Sequence, residues 1–132
     1  MMKPDGAKDL RAMLTSMAPR LSERAWCFQS VSDTSFISDT AFAVIHEDEG
    51  ACVVIPAQAA SGDAPSFAKI TLEVHSDLEA VGLTAAVSNA LSTSGIACNV
   101  IAGLHHDHLF VPWDRRELAL QLLEKLSYDA SR

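Results

Sequence analysis

Three histidines and an aspartate stand together at His105-His106-Asp107-His108, the densest run of chemically capable side chains in the sequence. Imidazoles beside a carboxylate invite a metal reading. Metal sites usually gather ligands from separate elements, however, and the sequence gives His46 and His75 no evident proximity to this run. The same residues can be hydrogen-bonded turn histidines. Asp107 can also accept a hydrogen bond from the ammonium group of a ligand.

A second constellation is His75-Ser76-Asp77-Leu78-Glu79. Ser76 and Glu79 have the spacing of a capping box, which marks the start of a helix over 77–93. A helix start offers unpaired N–H groups and a partial positive charge, which suit a carboxylate. Gly82 would remove a side chain where a ligand or a strand approaches. Read only as packing, Ser76 is a cap and Gly82 a contact with the sheet. The third feature is Asn99, a polar residue within the apolar run 96–102. It either satisfies a neighbouring backbone group or touches a ligand.

Nucleophilic chemistry has little support. His75, Ser76 and Asp77 are chain neighbours and do not meet as a triad. Cys27, Cys52 and Cys98 form no Cys-x-x-Cys pair, and no base is placed beside them. Free thiols buried in a reducing cytoplasm account for them. The expectation is a non-enzymatic protein with no resident metal and no cofactor.

Composition narrows the partners. The net charge is −7 and the ten Lys and Arg are scattered, which argues against nucleic acid. No apolar run approaches the roughly 20 residues needed to span a bilayer. The stretch Met1–Gly6 has no apolar signal-peptide core. The expected location is cytoplasmic, away from membranes.

The elements that would hold these residues follow from periodicity. Residues 1–6 read as disordered. Asp5 or Gly6 can open a helix over 7–17, with a stripe of Leu10, Met13, Leu14 and Met17, and Ala18-Pro19 ends it. Strands are expected at 25–31, 41–46 and 51–55, with a polar loop at 32–40 and a turn at Glu47–Gly50. Residues 56–65 read as a linker with one helical turn at 57–60. A strictly alternating strand at 67–75 leads into the helix at 77–93, whose buried stripe is Ala80, Leu83, Val87, Ala90 and Leu91. Gly95 is its natural C′ residue. Strands at 97–104 and 108–112 flank the histidine turn. Asp114 would cap a last helix with an apolar face of Ala119, Leu122, Leu123 and Leu126.

The order is αβββ over 1–60 and βαββα over 61–132, an α+β protein with mainly antiparallel sheets. The second half is most of a ferredoxin-like unit without its final strand. The first half has strands to spare. The halves are therefore expected to complete one another, within one chain or across a dimer.

Residues 75–85, 95–103 and 106–112 together resemble the ACT-domain family. More closely, they resemble a small bacterial group of unassigned function with paired ACT-like units. The C-terminal half is similar to the ACT repeats of the eukaryotic cytosolic arginine sensor. The resemblance implies a ferredoxin-like sandwich of two ACT-like units. It also implies a regulatory role, with a small-molecule effector, an amino acid, held between units of a homodimer. The implied ligand-binding set is Ser76, Asp77, Leu78, Glu79, Val81 and Gly82, with Asn99, Val100, Asp107 and His108. Two alternatives stand beside it: an interaction module without a small ligand, and a metal-binding protein acting through His105–His108.

Overall fold

The structure, a computed structural model, describes residues 9–132. Its elements are α1 (Leu10–Thr15), β1 (Pro19–Val31), β2 (Ala43–Glu47), β3 (Gly50–Pro56), β4 (Phe67–Leu72), α2 (Leu83–Ser92), β5 (Asn99–Ala102), β6 (Asp107–Pro112) and α3 (Arg116–Ala130). Short 3-10 turns occupy Thr34–Phe36, Ala57–Ala59 and Trp113–Arg115. The expected helix opening at Asp5 or Gly6, and the disorder expected over 1–6, lie outside the described residues. Asp9 caps α1 by accepting from the Arg11 amide at 3.2 Å.

The strands form one antiparallel sheet in the order β2-β3-β1-β4-β6-β5. The strand missing from the C-terminal βαββα run is supplied from within the chain. The first part of β1 lies antiparallel to β4, with Pro19 opposite Leu72 and Leu21 opposite Ile70. Its last part, Trp26–Val31, pairs with β3. One long strand therefore stitches the two halves together.

That strand begins six residues before the expected start at residue 25. The alternation is hidden because the β1–β4 register shifts between Leu21 and Ala25, four residues of β1 spanning only two of β4, Ile70 to Ala68. Ser22, Glu23 and Arg24 have no cross-strand partner in either ladder. A bulge of this kind breaks the period of two on which strand recognition depends.

The three helices cover one face of the sheet. Met13, Leu14 and Met17 of the α1 region, Leu83, Val87 and Leu91 of α2, and Ala119 and Leu123 of α3 pack onto Ala68, Ile70, Leu72, Leu109 and Val111. A large aliphatic side chain buried this fully contributes about 1.5–3 kcal/mol. The α1 stripe reads correctly from sequence except at Leu10, which remains 37% exposed.

The other face carries an aromatic cluster instead. Trp26, Val54 and Phe110 are buried there with Phe28, Phe42 and Phe67 around them. The rings meet edge-on, with Phe28 5.3 Å from Phe110 and Phe42 6.0 Å from Trp26. This is the arrangement favoured by aromatic quadrupoles.

Candidate functional site

The polypeptide between β4 and α2 does not fold as the capping-box spacing suggests. The strand ends at Leu72, and the helix begins at Leu83 rather than near residue 77. Ser76 caps nothing; its Oγ donates to Asp107 Oδ2 at 3.3 Å. Asp77 Oδ1 accepts from the Glu79 amide at 2.7 Å, closing a local turn. Short acidic side chains compete with helix in this way by bonding nearby backbone. Gly82 then adopts φ +107, a left-handed value open to glycine, and directs the chain into α2. A Cβ there would lie 3.2 Å from Leu10 Cδ2, so Gly82 also lets α1 approach the start of α2.

The displaced helix start has a chemical consequence. The first amides of an α-helix have no partner within the helix, and among the described residues no side chain caps α2. Among its neighbours is Asp107, the first residue of β6, 9% exposed. Its backbone register lies between Leu72 of β4 and Ala102 of β5, on the helix-bearing face. Here the histidine run is divided. Asp107 faces the helices, and His108 faces the aromatic cluster, where its Nδ1 lies 2.9 Å from Thr71 Oγ1. His105 stacks edge-on to His75 at 5.3 Å. Among the described residues no group of three metal-capable side chains comes together.

A cavity of about 140 Å³ joins these parts. The 76–82 loop contributes Ser76, Asp77 and Gly82, α2 contributes Leu83 and Thr84, and the hairpin contributes Asp107. Five of the sequence-derived candidates therefore share one cavity: Ser76, Asp77, Leu78, Gly82 and Asp107. The other five lie outside its lining. Glu79 is exposed and held at its amide by Asp77. Val81 is 81% exposed on the outside of the loop. Asn99 is exposed on the edge strand, opposite Phe110 in register, and Val100 packs into the helical core. His108 points to the other side of the sheet because side chains alternate along β6.

Sequence reasoning missed Ala80, Leu83, Thr84, Ala102 and Gly103, which also line the cavity. The signal for Thr84 was Gly82: with the helix opened there, Thr84 falls in its first turn. Asp114 was also expected to cap α3, but no side chain does so, and Arg115 occupies that position.

Electrostatics separate the two sides of the sheet. On the aromatic side, burial pushes the His108 imidazole below its ordinary value, and Lys69, His106 and Arg20 add to the effect while Asp107 opposes it. Burial likewise lowers Lys69, reinforced by Arg20 and Arg24. Burial raises the Cys98 thiol. It also raises Cys52, with Glu47 adding to the shift.

Comparison with known proteins now bears on the geometry. Models of the ACT domain match residues 5–68 and residues 64–125. A solved structure from Vibrio cholerae, of a protein of unknown function described as a possible transport protein, is 42% identical with a TM-score of 0.77. That similarity covers 86% of this chain and 92% of the other. The chain belongs to the ACT-domain family. Two more distant structures share the fold. A protein from Agrobacterium tumefaciens is 19% identical over 79% of this chain and 84% of its own, with a TM-score of 0.64. A domain from Porphyromonas gingivalis, described as a candidate C-terminal regulatory domain of aspartate kinase, is 14% identical over 84% of this chain and 96% of its own, with a TM-score of 0.55. No curated protein matches the chain. The ACT fold is thus the ferredoxin-like, antiparallel α+β arrangement expected from element order, and ACT domains are in general regulatory and bind amino acids. Among the described residues no helix is long and apolar enough to cross a membrane.

Proposed function

We propose that this ACT protein is a non-enzymatic sensor that binds an amino acid, or a similar zwitterion, in the cavity between the start of α2 and Asp107. One observation carries the reading. One small cavity is lined both by the start of α2, where Gly82 supplies no side-chain cap, and by the buried carboxylate of Asp107. A ligand carboxylate would take the amides near Leu83 and Thr84, with help from the Thr84 hydroxyl. A ligand ammonium would take Asp107, displacing or sharing the 3.3 Å bond from Ser76. Charge-assisted bonds of this type contribute about 1.5–3 kcal/mol each.

Size supports a small ligand. A volume of about 140 Å³ is near that of an engineered cavity which admits benzene, about 150 Å³. The main-chain part of an amino acid fits inside, and a long side chain would project past the rim. Leu78 in the cavity lining is 66% exposed, and Val81 and Leu104, chain neighbours of lining residues, are 81% and 65% exposed. A second copy of the chain laid over it would enclose the ligand and form the homodimer the resemblance implies. Asp77 adds a second carboxylate to the lining, so a cationic side chain is favoured over an acidic one. Arginine, suggested by the likeness of the C-terminal half to arginine-sensor repeats, belongs in the ligand panel for both reasons.

The test is a thermal-shift series with the common amino acids at constant pH and ionic strength. A ligand present at a hundred times its dissociation constant adds about 2.7 kcal/mol to stability. No shift with any amino acid at millimolar concentration counts against the reading. The exposed rim also favours a second reading, an interaction module whose cavity takes no ligand. Concentration-dependent dimerisation, with an unresponsive cavity, would support that one.

A further inference from the structure

The β1 bulge opens a groove away from the amino-acid cavity. It holds about 500 Å³ and is lined by Arg20, Leu21, Ser22, Glu23, Arg24 and Trp26. The bulge creates it by releasing Ser22–Arg24 from both neighbouring strands. Two arginines line it, in a chain whose net charge is −7, and Lys69 stands against the ring of the lining residue Trp26. Arg20 lies opposite Thr71 in the ladder, and Thr71 lies opposite His108. Lys69 is two residues away on the same face, its Nζ 4.7 Å from the Trp26 ring centre and 4.3 Å from that of Phe42.

These charges are poorly neutralised. Arg20 has one carboxylate partner, Glu73 at 3.4 Å, with both side chains substantially exposed. Exposed pairs of this kind contribute little, so the guanidinium is available to a competing anion. Among the described residues Lys69 and Arg24 form no ion pair. Glu23 is the only carboxylate in the groove lining. Burial, reinforced by the positive charges of Arg20 and Arg24, lowers the Lys69 pKa. Among the described residues the indole N–H of Trp26, itself 7% exposed, has no hydrogen-bond partner. Buried donors are normally paired.

We infer that the groove beside the β1 bulge binds a small, multiply charged oxyanion, such as the phosphate group of a metabolite, through Arg20, Arg24 and Lys69. Arginine forks match the paired oxygens of phosphate or carboxylate, and lysine adds a point charge. This site lies outside the amino-acid cavity and does not depend on it. A second ligand there would give the protein two inputs.

Tryptophan fluorescence can read the site. The sequence has two tryptophans, and a Trp113→Phe background leaves Trp26 as the single reporter. Inorganic phosphate, pyrophosphate and malonate are titrated at constant ionic strength, with chloride as control. The expected result is a saturable change in Trp26 emission at millimolar anion or below. Phosphate or pyrophosphate acting more tightly than malonate assigns a phosphoryl ligand, and the reverse assigns a dicarboxylate. Arg24→Gln, at an exposed position, should weaken binding about tenfold. Lys69→Gln should weaken it similarly, Lys69→Arg should retain it, and Asp107→Asn should leave it unchanged. The inference is overturned if no anion gives a saturable response. It is equally overturned if Arg24→Gln and Lys69→Gln, both folded by circular dichroism, bind as the parent does.

Discussion

Asp107 and His108 are adjacent in the chain and serve opposite sides of the sheet. Asp107 sits under the helices, in a cavity with the start of α2. His108 sits beside Thr71 and Phe42, on the face that carries the aromatic cluster. The four polar residues of this hairpin are therefore not presented as one group. A strand alternates its side chains, so a run of four polar residues is divided between two environments of opposite character. One side is acidic and small. The other is aromatic and cationic.

The largest effect is expected in the packing of the aromatic side. Phe110 is fully buried and holds the aromatic cluster together. Phe110→Ala should cost about 3–5 kcal/mol by urea denaturation. If the cavity side is independent, the surviving folded fraction should still respond to the amino acid that stabilises the parent.

A somewhat smaller effect is expected at Asp107. Asp107→Asn keeps the shape and removes the charge. It should weaken amino-acid binding by about 1.5–3 kcal/mol in calorimetric titration. Anion binding on the other face should not change.

Gly82 tests the loop that forms the cavity. Its φ of +107 and the nearby Leu10 methyl leave no comfortable place for a Cβ. Gly82→Ala should destabilise by about 1–3 kcal/mol through backbone strain.

This loop also shows the limits of the sequence. The hairpin at 47–50, the helical stripes apart from Leu10 and Ala80, and the Gly95 terminus were legible, because each follows a local rule. Gly95 takes φ +74, and the Ile96 amide returns to the Leu91 carbonyl at 3.0 Å. The start of α2 was not legible. Ser76 and Glu79 satisfy the capping-box pattern, but Ser76 is drawn to Asp107, thirty-one positions away. A long-range partner overrides a local signal and leaves no trace in spacing. The early part of β1 was hidden for a related reason, since its bulge is defined only by pairing with β4. For the candidate site, the pairing of the 76–82 loop with Asp107 was readable, while Thr84 and the Ala102-Gly103 wall depended on where the helix begins.

A further contrast concerns pH. The folded state holds the His108 pKa below its ordinary value of 6.5. Below that value the unfolded chain binds the proton more readily, so stability rises with pH across the interval between the depressed and ordinary values. The contribution is present above about 6.5 and is lost as pH falls through the interval. His108→Gln should therefore show a shallower loss of stability between neutral and mildly acid pH. Parallel denaturation curves at several pH values would reveal it.

The smallest expected effect lies at the Arg20–Glu73 pair. Glu73→Gln should change stability by no more than about 1 kcal/mol. It should also tighten anion binding in the β1 groove, since it removes the competing carboxylate, and leave the amino-acid cavity untouched.

The central claim is that a zwitterion lies between the start of α2 and Asp107. Amide chemical shifts recorded during titration with the amino acid that gives the largest thermal shift test it most directly. A zwitterion held there gives saturable changes concentrated at Ser76, Gly82, Leu83, Thr84 and Asp107, all abolished or weakened together in Asp107→Asn. Changes centred instead on Trp26, Lys69 and His108, with the α2 start unmoved, would contradict it.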